Sequence, residues 1–239
     1  MRREVRGCRW GAARSFSLLL TIHFSLLSGC AVPHVPSRTV YEDPTNFVRV
    51  ELDPNVLPDK PDTRHTHPVV ISTEIMADIL KGFTVRERKT FVQVWFVGEA
   101  PREPAFRNEE IAFLALQLSV ALSKASPDER VTFYLSYPQT SVKREVTSGG
   151  IYTMGDELHF ALSNQREIYG IPAYGMVYDR RYPALPIVPK DFDVFFEPEN
   201  AVILKTFSLW ARMWGLDRDE VVIDLKKLPS ARATASVVP

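Results

Sequence analysis

The stretch Val131-Thr132-Phe133-Tyr134-Leu135-Ser136-Tyr137 puts Val131, Phe133, Leu135 and Tyr137 on one side of an extended chain, because strand side chains alternate with a period of two. Immediately upstream the period is different. Between Glu109 and Lys124, residues Ile111, Leu114, Ala115, Leu118, Ala121 and Leu122 recur at helical spacing, and Phe113, Leu116 and Val120 widen the stripe. Asn108 is placed to cap this helix, with Glu109 and Glu110 near its positive end. Downstream, further strands are expected at 142–147, 151–154 and 158–162, joined by the turn signals Ser148-Gly149-Gly150 and Gly155-Asp156. A long amphipathic helix followed by a meander predicts the α+β class: a single domain, mainly antiparallel sheet packed against one long and one or two shorter helices.

Working outward, Phe47 to Leu52 alternates as a strand, and Pro54, Pro58, Pro61 and Pro68 mark the loop after it. Ser72 or Thr73 can cap a short helix whose apolar face is Ile75, Met76, Ile79 and Leu80, and Gly82 ends it. A brief strand is expected at 83–86. The run Phe91-Val92-Gln93-Val94-Trp95-Phe96-Val97 predicts a strand covered on both faces. Phe192 to Glu197 and Val221 to Leu225 supply the last strands. Ile203, Phe207, Trp210 and Trp214 recur at helix spacing, ended by Gly215, with a strand over 201–206 competing for the first half.

The N-terminus carries Arg2, Arg3, Arg6, Arg9 and Arg14 against Glu4 alone, then an apolar run from Phe16 to Leu27. That run is shorter than the ~20 residues a permanent membrane helix needs, and it closes in small residues, as a secretory signal does. Leu27-Ser28-Gly29-Cys30 resembles the lipobox of bacterial lipoproteins. The resemblance covers residues 1 to about 31 and implies cleavage before Cys30, with a diacylglycerol on its thiol and an N-acyl chain on its new amine. It implies no other cofactor. Ala31 stands where an Asp would retain such a protein at the inner membrane, so the family's sorting rule favours the outer membrane, facing the periplasm. The organisation expected is a signal peptide over 1–29, a lipidated Cys30 and proline-rich tether over 30–46, a globular domain over 47–228 and a flexible tail over 229–239.

The processed chain would hold 210 residues with 24 basic and 28 acidic side chains. A mildly acidic balance argues against a nucleic-acid partner. Cys8 leaves with the signal and Cys30 is taken by lipid, so disulfide scaffolds, cysteine-ligated metals and a catalytic thiol are excluded on this reading.

Four constellations invite chemistry. His65-Thr66-His67 near Asp59 and Asp62 is a weak metal candidate, since alternate residues of an extended segment point the same way. Ser148 with His159 and Asp156 has the residue types of a nucleophile, base and orienter, but the glycines beside Ser148 are explained more cheaply by a turn. Leu162-Ser163-Asn164-Gln165-Arg166 before Gly170-Ile171-Pro172 shares residues with the peptidoglycan-binding motif of the outer-membrane-protein-A family. There those residues lie on a helix well upstream of the Gly-Ile-Pro, so the match is set aside. Finally, Tyr169, Tyr174, Tyr178, Arg180, Arg181 and Tyr182 share a loop with Pro172, Pro183, Pro186 and Pro189. Tyr and Arg are the residues most enriched in binding hot spots, which makes this loop the expected contact surface. The expectation is a membrane-anchored lipoprotein with a non-enzymatic binding, scaffolding or envelope-assembly role and an envelope protein as partner. The alternative is a periplasmic hydrolase or metal-binding enzyme.

Overall fold

The chain is described in a computed structural model over residues 35–170, 183, 190–203 and 220–228. Strand β1 (Ser37–Glu42) turns into β2 (Phe47–Leu52) through Asp43, whose side chain accepts hydrogen bonds from the Thr45 and Asn46 amides, each at 2.6 Å. Such an Asx turn closes a hairpin without glycine. Burial by itself would raise the Asp43 carboxyl, but the Thr45 hydroxyl and these amides bring it far below the usual range. The expected tether over 30–46 is therefore corrected. From Ser37 onward the chain is an edge strand: Tyr41 meets Phe113 edge-on at 4.9 Å, and Arg38 Nη2 pairs with Glu129 Oε2 at 2.6 Å.

Helix α1 (Thr73–Gly82) begins at Ser72, whose hydroxyl accepts from the Ile75 amide, and it buries Met76, Ile79 and Leu80. It feeds β3 (Phe83–Glu87). The next element is a second correction. Phe91–Val97 is not a covered strand but helix α2, with Trp95, Phe96 and Val97 each about three-quarters exposed. The reason is local: Thr90 and Gln93 form a reciprocal capping box and Gly98 closes the C-terminus with φ +77°. These caps satisfy the Thr90, Gln93 and Gly98 amides without a sheet partner, which outweighs a strand preference of at most ~1 kcal/mol across the scale.

After β4 (Glu103–Pro104) comes α3 (Asn108–Leu122). Its cap lies one residue before the expected Asn108: the Glu110 carboxylate reaches back to accept from the Arg107 amide at 2.6 Å. Ile111, Leu114, Ala115, Leu118, Ala121 and Leu122 are buried as their spacing predicts.

The meander follows as β5 (Glu129–Thr140), β6 (Lys143–Met154) and β7 (Glu157–Gly170). A third correction falls here. Ser148-Gly149-Gly150 is not a turn; it lies within β6, a single strand opposite β5 and β7. A Cβ at Gly149 would stand 2.3 Å from the Ala161 carbonyl oxygen and 3.0 Å from the Phe133 ring, so this glycine serves a close approach across the sheet. Gly155-Asp156 does turn the chain, with Gly155 at φ +59°.

Strands β8 (Phe192–Phe196) and β9 (Glu220–Asp224) complete two antiparallel sheets, ordered β1-β2-β5-β6-β7-β9 and β4-β3-β8. The α+β class is thus as expected. One core joins α1 and α3 to the inner face of the larger sheet, through Val48, Val50, Val131, Phe133, Leu135, Phe160 and Leu162. Phe83 of β3 stacks on Phe160 of β7 with ring centroids 4.0 Å apart, fastening the smaller sheet to the larger. Each such fully buried side chain contributes about 1.5–3 kcal/mol. Cys30, the expected helix within 203–214 beyond Ile203, and the tail over 229–239 lie outside the described residues.

Candidate functional site

Strand β7 carries polar side chains at both ends, and the two ends are built differently. At the first end, His159 lies opposite Tyr152 of β6 and stacks on its ring at 4.5 Å. His159 Nδ1 is 2.7 Å from Glu220 Oε1, and Tyr152 Oη donates to Glu220 Oε2 at 3.0 Å. His65 packs against the other side of Tyr152 at 4.2 Å and places Nε2 3.1 Å from Asp53 Oδ2. His67 meets His65 edge-on at 5.6 Å.

His65 and His67 do point the same way, as an extended segment dictates, because the Thr66 amide donates to the Thr153 carbonyl at 2.8 Å and zips the segment onto the end of β6. They point inward. Both are buried, while Asp59 and Asp62, expected beside them, are exposed. The acid on His65 is Asp53. Burial opposes its charge, but His65, the Asn55 amide and Arg130 hold the Asp53 carboxyl well below its ordinary value. Neither ring nitrogen of His67 has a hydrogen-bond partner; burial, then the neighbouring His65, lowers its pKa to about 4 and keeps it neutral. Among the described residues, no group of three or more His, Cys, Asp or Glu is disposed to hold a metal.

The Ser148, His159 and Asp156 constellation is not brought together. Ser148 lies opposite Asn164 and His159 opposite Tyr152, which separates them by ~13 Å along the strands. Ser148 Oγ donates to the Pro183 carbonyl at 2.7 Å and accepts from Asn164 Nδ2 at 2.7 Å, a structural role. Asp156 pairs with Lys226 in the exposed turn.

At the other end of β7 the strand is bulged, and Arg166 adopts φ +52°. The left-handed region is unusual for a residue with a long side chain and costs about 1 kcal/mol or more. The bulge turns Gln165, Arg166 and Glu167 onto an open cavity of about 320 Å³, lined also by Val85, Glu87, Glu103, Ala100, Pro101, Asp191 and Phe192. Gln165 Nε2 donates to the Ala105 carbonyl at 3.0 Å and Arg166 Nη2 to the Pro104 carbonyl at 3.4 Å. These bonds hold both side chains against the strand of the smaller sheet. Gln165 Oε1 and Arg166 Nε are shielded from water with no hydrogen-bond partner. Burial, then the nearby Asp191 charge, raises the Glu167 carboxyl above its ordinary value. Arg166 thus shares the cavity lining with four carboxylates, Glu87, Glu103, Glu167 and Asp191.

Of the expected Tyr- and Arg-rich surface, only Tyr169 is described. It is half-buried near the end of β7, its hydroxyl 3.1 Å from that of Tyr134, packed with Phe47 and Val146. Tyr174, Tyr178, Arg180, Arg181 and Tyr182 lie outside the described residues. Gln165 and Arg166 entered the reading of the sequence only through the motif match that was set aside, and Glu167 and Asp191 were missed. Nothing in it marks Arg166 as a left-handed residue, since Gly, Asn and Asp are the types that signal one. No family model, no curated protein and no solved structure matches the chain.

Proposed function

We propose that the chain is a lipoprotein anchored through Cys30 in the outer membrane, facing the periplasm, whose domain binds an envelope protein rather than catalysing a reaction. The observation that supports binding is the strained Arg166 at the mouth of the β7 cavity. A conformation that costs stability is kept where the surrounding bonds over-determine it, and here it places the Arg166 guanidinium on the lining of a cavity, with Arg166 Nε and Gln165 Oε1 buried and without a hydrogen-bond partner. With four carboxylates and one Arg on the cavity lining, the fitting partner is a segment bearing Lys or Arg. The histidines that a hydrolase would use as base or ligand are packed into the far end of the sheet instead.

A photo-crosslinking residue at Glu167, in intact cells, should form one discrete adduct that Asp191→Asn weakens; the absence of any adduct would count against binding at this cavity. Cys30→Ser should move the protein out of the lipid-modified pool without unfolding it. A domain that fails to fold in that variant would remove the anchor reading.

The hydrolase alternative keeps one supporting observation, the raised Glu167 beside Asp191, which is how a general acid is set against a second carboxylate. Glu167→Gln separates the readings: it would abolish hydrolysis of a glycoside or amide, whereas binding should fall only in part.

A further inference from the structure

We infer that the segment bound at the β7 cavity, on the binding reading proposed above, is a chain end: a C-terminal lysine whose carboxylate meets Arg166 and whose ammonium meets the acids of the lining.

Strand alternation sorts the charge around the cavity. Across β3 and β8, Glu87 lies opposite Phe192 and Val85 opposite Val194, so Val85, Glu87 and Phe192 share the face that lines the cavity. Arg86, Asp193 and Phe195 share the other face. On that side the bases are already used: Arg86 pairs with Glu99, Arg88 Nε with Asp193 Oδ1 at 2.7 Å, and Arg102 Nη1 with Glu199 Oε1 at 3.5 Å. Arg86 and Arg102 also lie over the Phe195 ring, 4.9 and 4.1 Å from its centroid. On the cavity side the acids are not used. Among the described residues, none of Glu87, Glu103, Glu167 and Asp191 is in an ion pair, and neither is Arg166. Lys190, beside Asp191 in the chain, has its ammonium 4.8 Å from the Phe192 ring centroid.

Arg166 and the four acids therefore share a lining without neutralising one another. Burial, and then the Asp191 charge, raise the Glu167 carboxyl, as expected of acids crowded without a counter-ion. Arg166 does act on Glu110, but that buried carboxylate already accepts from the Arg107 amide at 2.6 Å and lies 3.5 Å from its guanidinium. Both signs of charge are left for a ligand that carries both.

The ligand class follows from what each candidate would leave unanswered. A diamine meets the acids and leaves Arg166 alone. A metal ion needs a group of three ligands, and none is disposed to hold one among the described residues. An internal peptide segment brings only neutral carbonyls to Arg166, whereas a chain end brings a carboxylate, which a guanidinium can take in two parallel bonds. The volume of about 320 Å³ is at the small end for a binding cavity, which suits the last residue of a chain. The acids come from separate segments, β3, β4, β7 and the residue before β8. A compact ammonium with three rotatable donors serves such a set better than a planar guanidinium fork. Val85 and Phe192, both buried, supply apolar surface for the methylene stem.

The test uses the full chain, purified from membranes in detergent, and a fluorescent tetrapeptide ending in lysine with a free carboxylate. Anisotropy should show binding of this peptide, and its C-terminal amide should bind about tenfold more weakly. Arg166→Gly should reduce the free acid to the affinity of the amide and leave the amide unchanged, whereas Glu167→Gln with Asp191→Asn should weaken both. An amide that binds as tightly as the free acid overturns the chain end and leaves the basic segment standing, a comparison that holds on the unaltered protein should Arg166→Gly fold poorly. Tighter binding of a peptide ending in arginine overturns the choice of lysine. Free lysine that competes as well as the peptide would assign the cavity to the amino acid itself and overturns the chain end too. Peptides that all fail to bind, while the crosslink at Glu167 still forms in cells, do the same; if the crosslink is also absent, the binding reading falls with it.

Discussion

The two ends of strand β7 differ in what their polar groups are for. At the His159 end, Glu220 takes hydrogen bonds from two aromatic side chains, and His65, His67 and Tyr152 pack ring against ring. At the Arg166 end the ladder breaks, the backbone enters a left-handed conformation and a cavity opens. Polar residues buried in a regular ladder act as structure, whereas those at a bulge are re-aimed toward a surface where they can meet a partner. Residue type alone would have ranked the two ends the other way, since histidines attract functional readings and a lone Arg does not.

The comparison breaks most severely if Glu220 is dispensable. Glu220→Ala removes two charge-assisted hydrogen bonds from a buried cluster and should cost about 4 kcal/mol, read as a lower denaturation midpoint. A loss within experimental error would mean that the His159 end is not structural.

Next comes acid. His67 titrates near pH 4 when folded and near 6.5 when unfolded, so between these values the unfolded chain binds the extra proton. The contribution is fully present above pH 6.5 and is lost as pH falls toward 4. It amounts to about 2 kcal/mol once partial screening by solvent is allowed for. His67→Gln should flatten that part of the stability–pH curve, measured by urea unfolding at several pH values.

The smallest effect has the opposite sign. Arg166→Gly relieves the left-handed strain and should raise stability by about 1 kcal/mol while weakening the crosslinked adduct at the cavity. Stability and binding falling together would make Arg166 a structural residue and remove the contrast between the ends.

Much of the fold was legible because its signals are local. The limits of β2, the Ser72 cap and the stripe of α3 follow from alternation, capping chemistry and a period of 3.6. Helix α2 was misread even though Thr90, Gln93 and Gly98 spell its caps in the sequence: its β-branched and aromatic residues outweighed them in the reading. Ser148-Gly149-Gly150 was misread for a deeper reason. Glycine signals both turns and close packing, and only the approach of Ala161 and Phe133 on neighbouring strands distinguishes the two. The tether was cut short because three prolines in residues 31–46 concealed an edge strand, a place that tolerates proline nearby.

By itself the amino-acid sequence determined the α+β class, the helix–sheet core and the direction in which His65 and His67 point, because periodicity and capping act within a few residues. The lipobox proposed at Cys30 rests likewise on a linear pattern that needs no fold to be read. Which polar groups are buried pairs and which line a cavity was decided only by tertiary structure. That choice depends on strand register: Tyr152 opposite His159 makes a cluster, and the register shift between Val146 and Ser148 accompanies the bulge that puts Arg166 on the cavity lining. Register is set by contacts between residues far apart in the chain, and no local pattern records it.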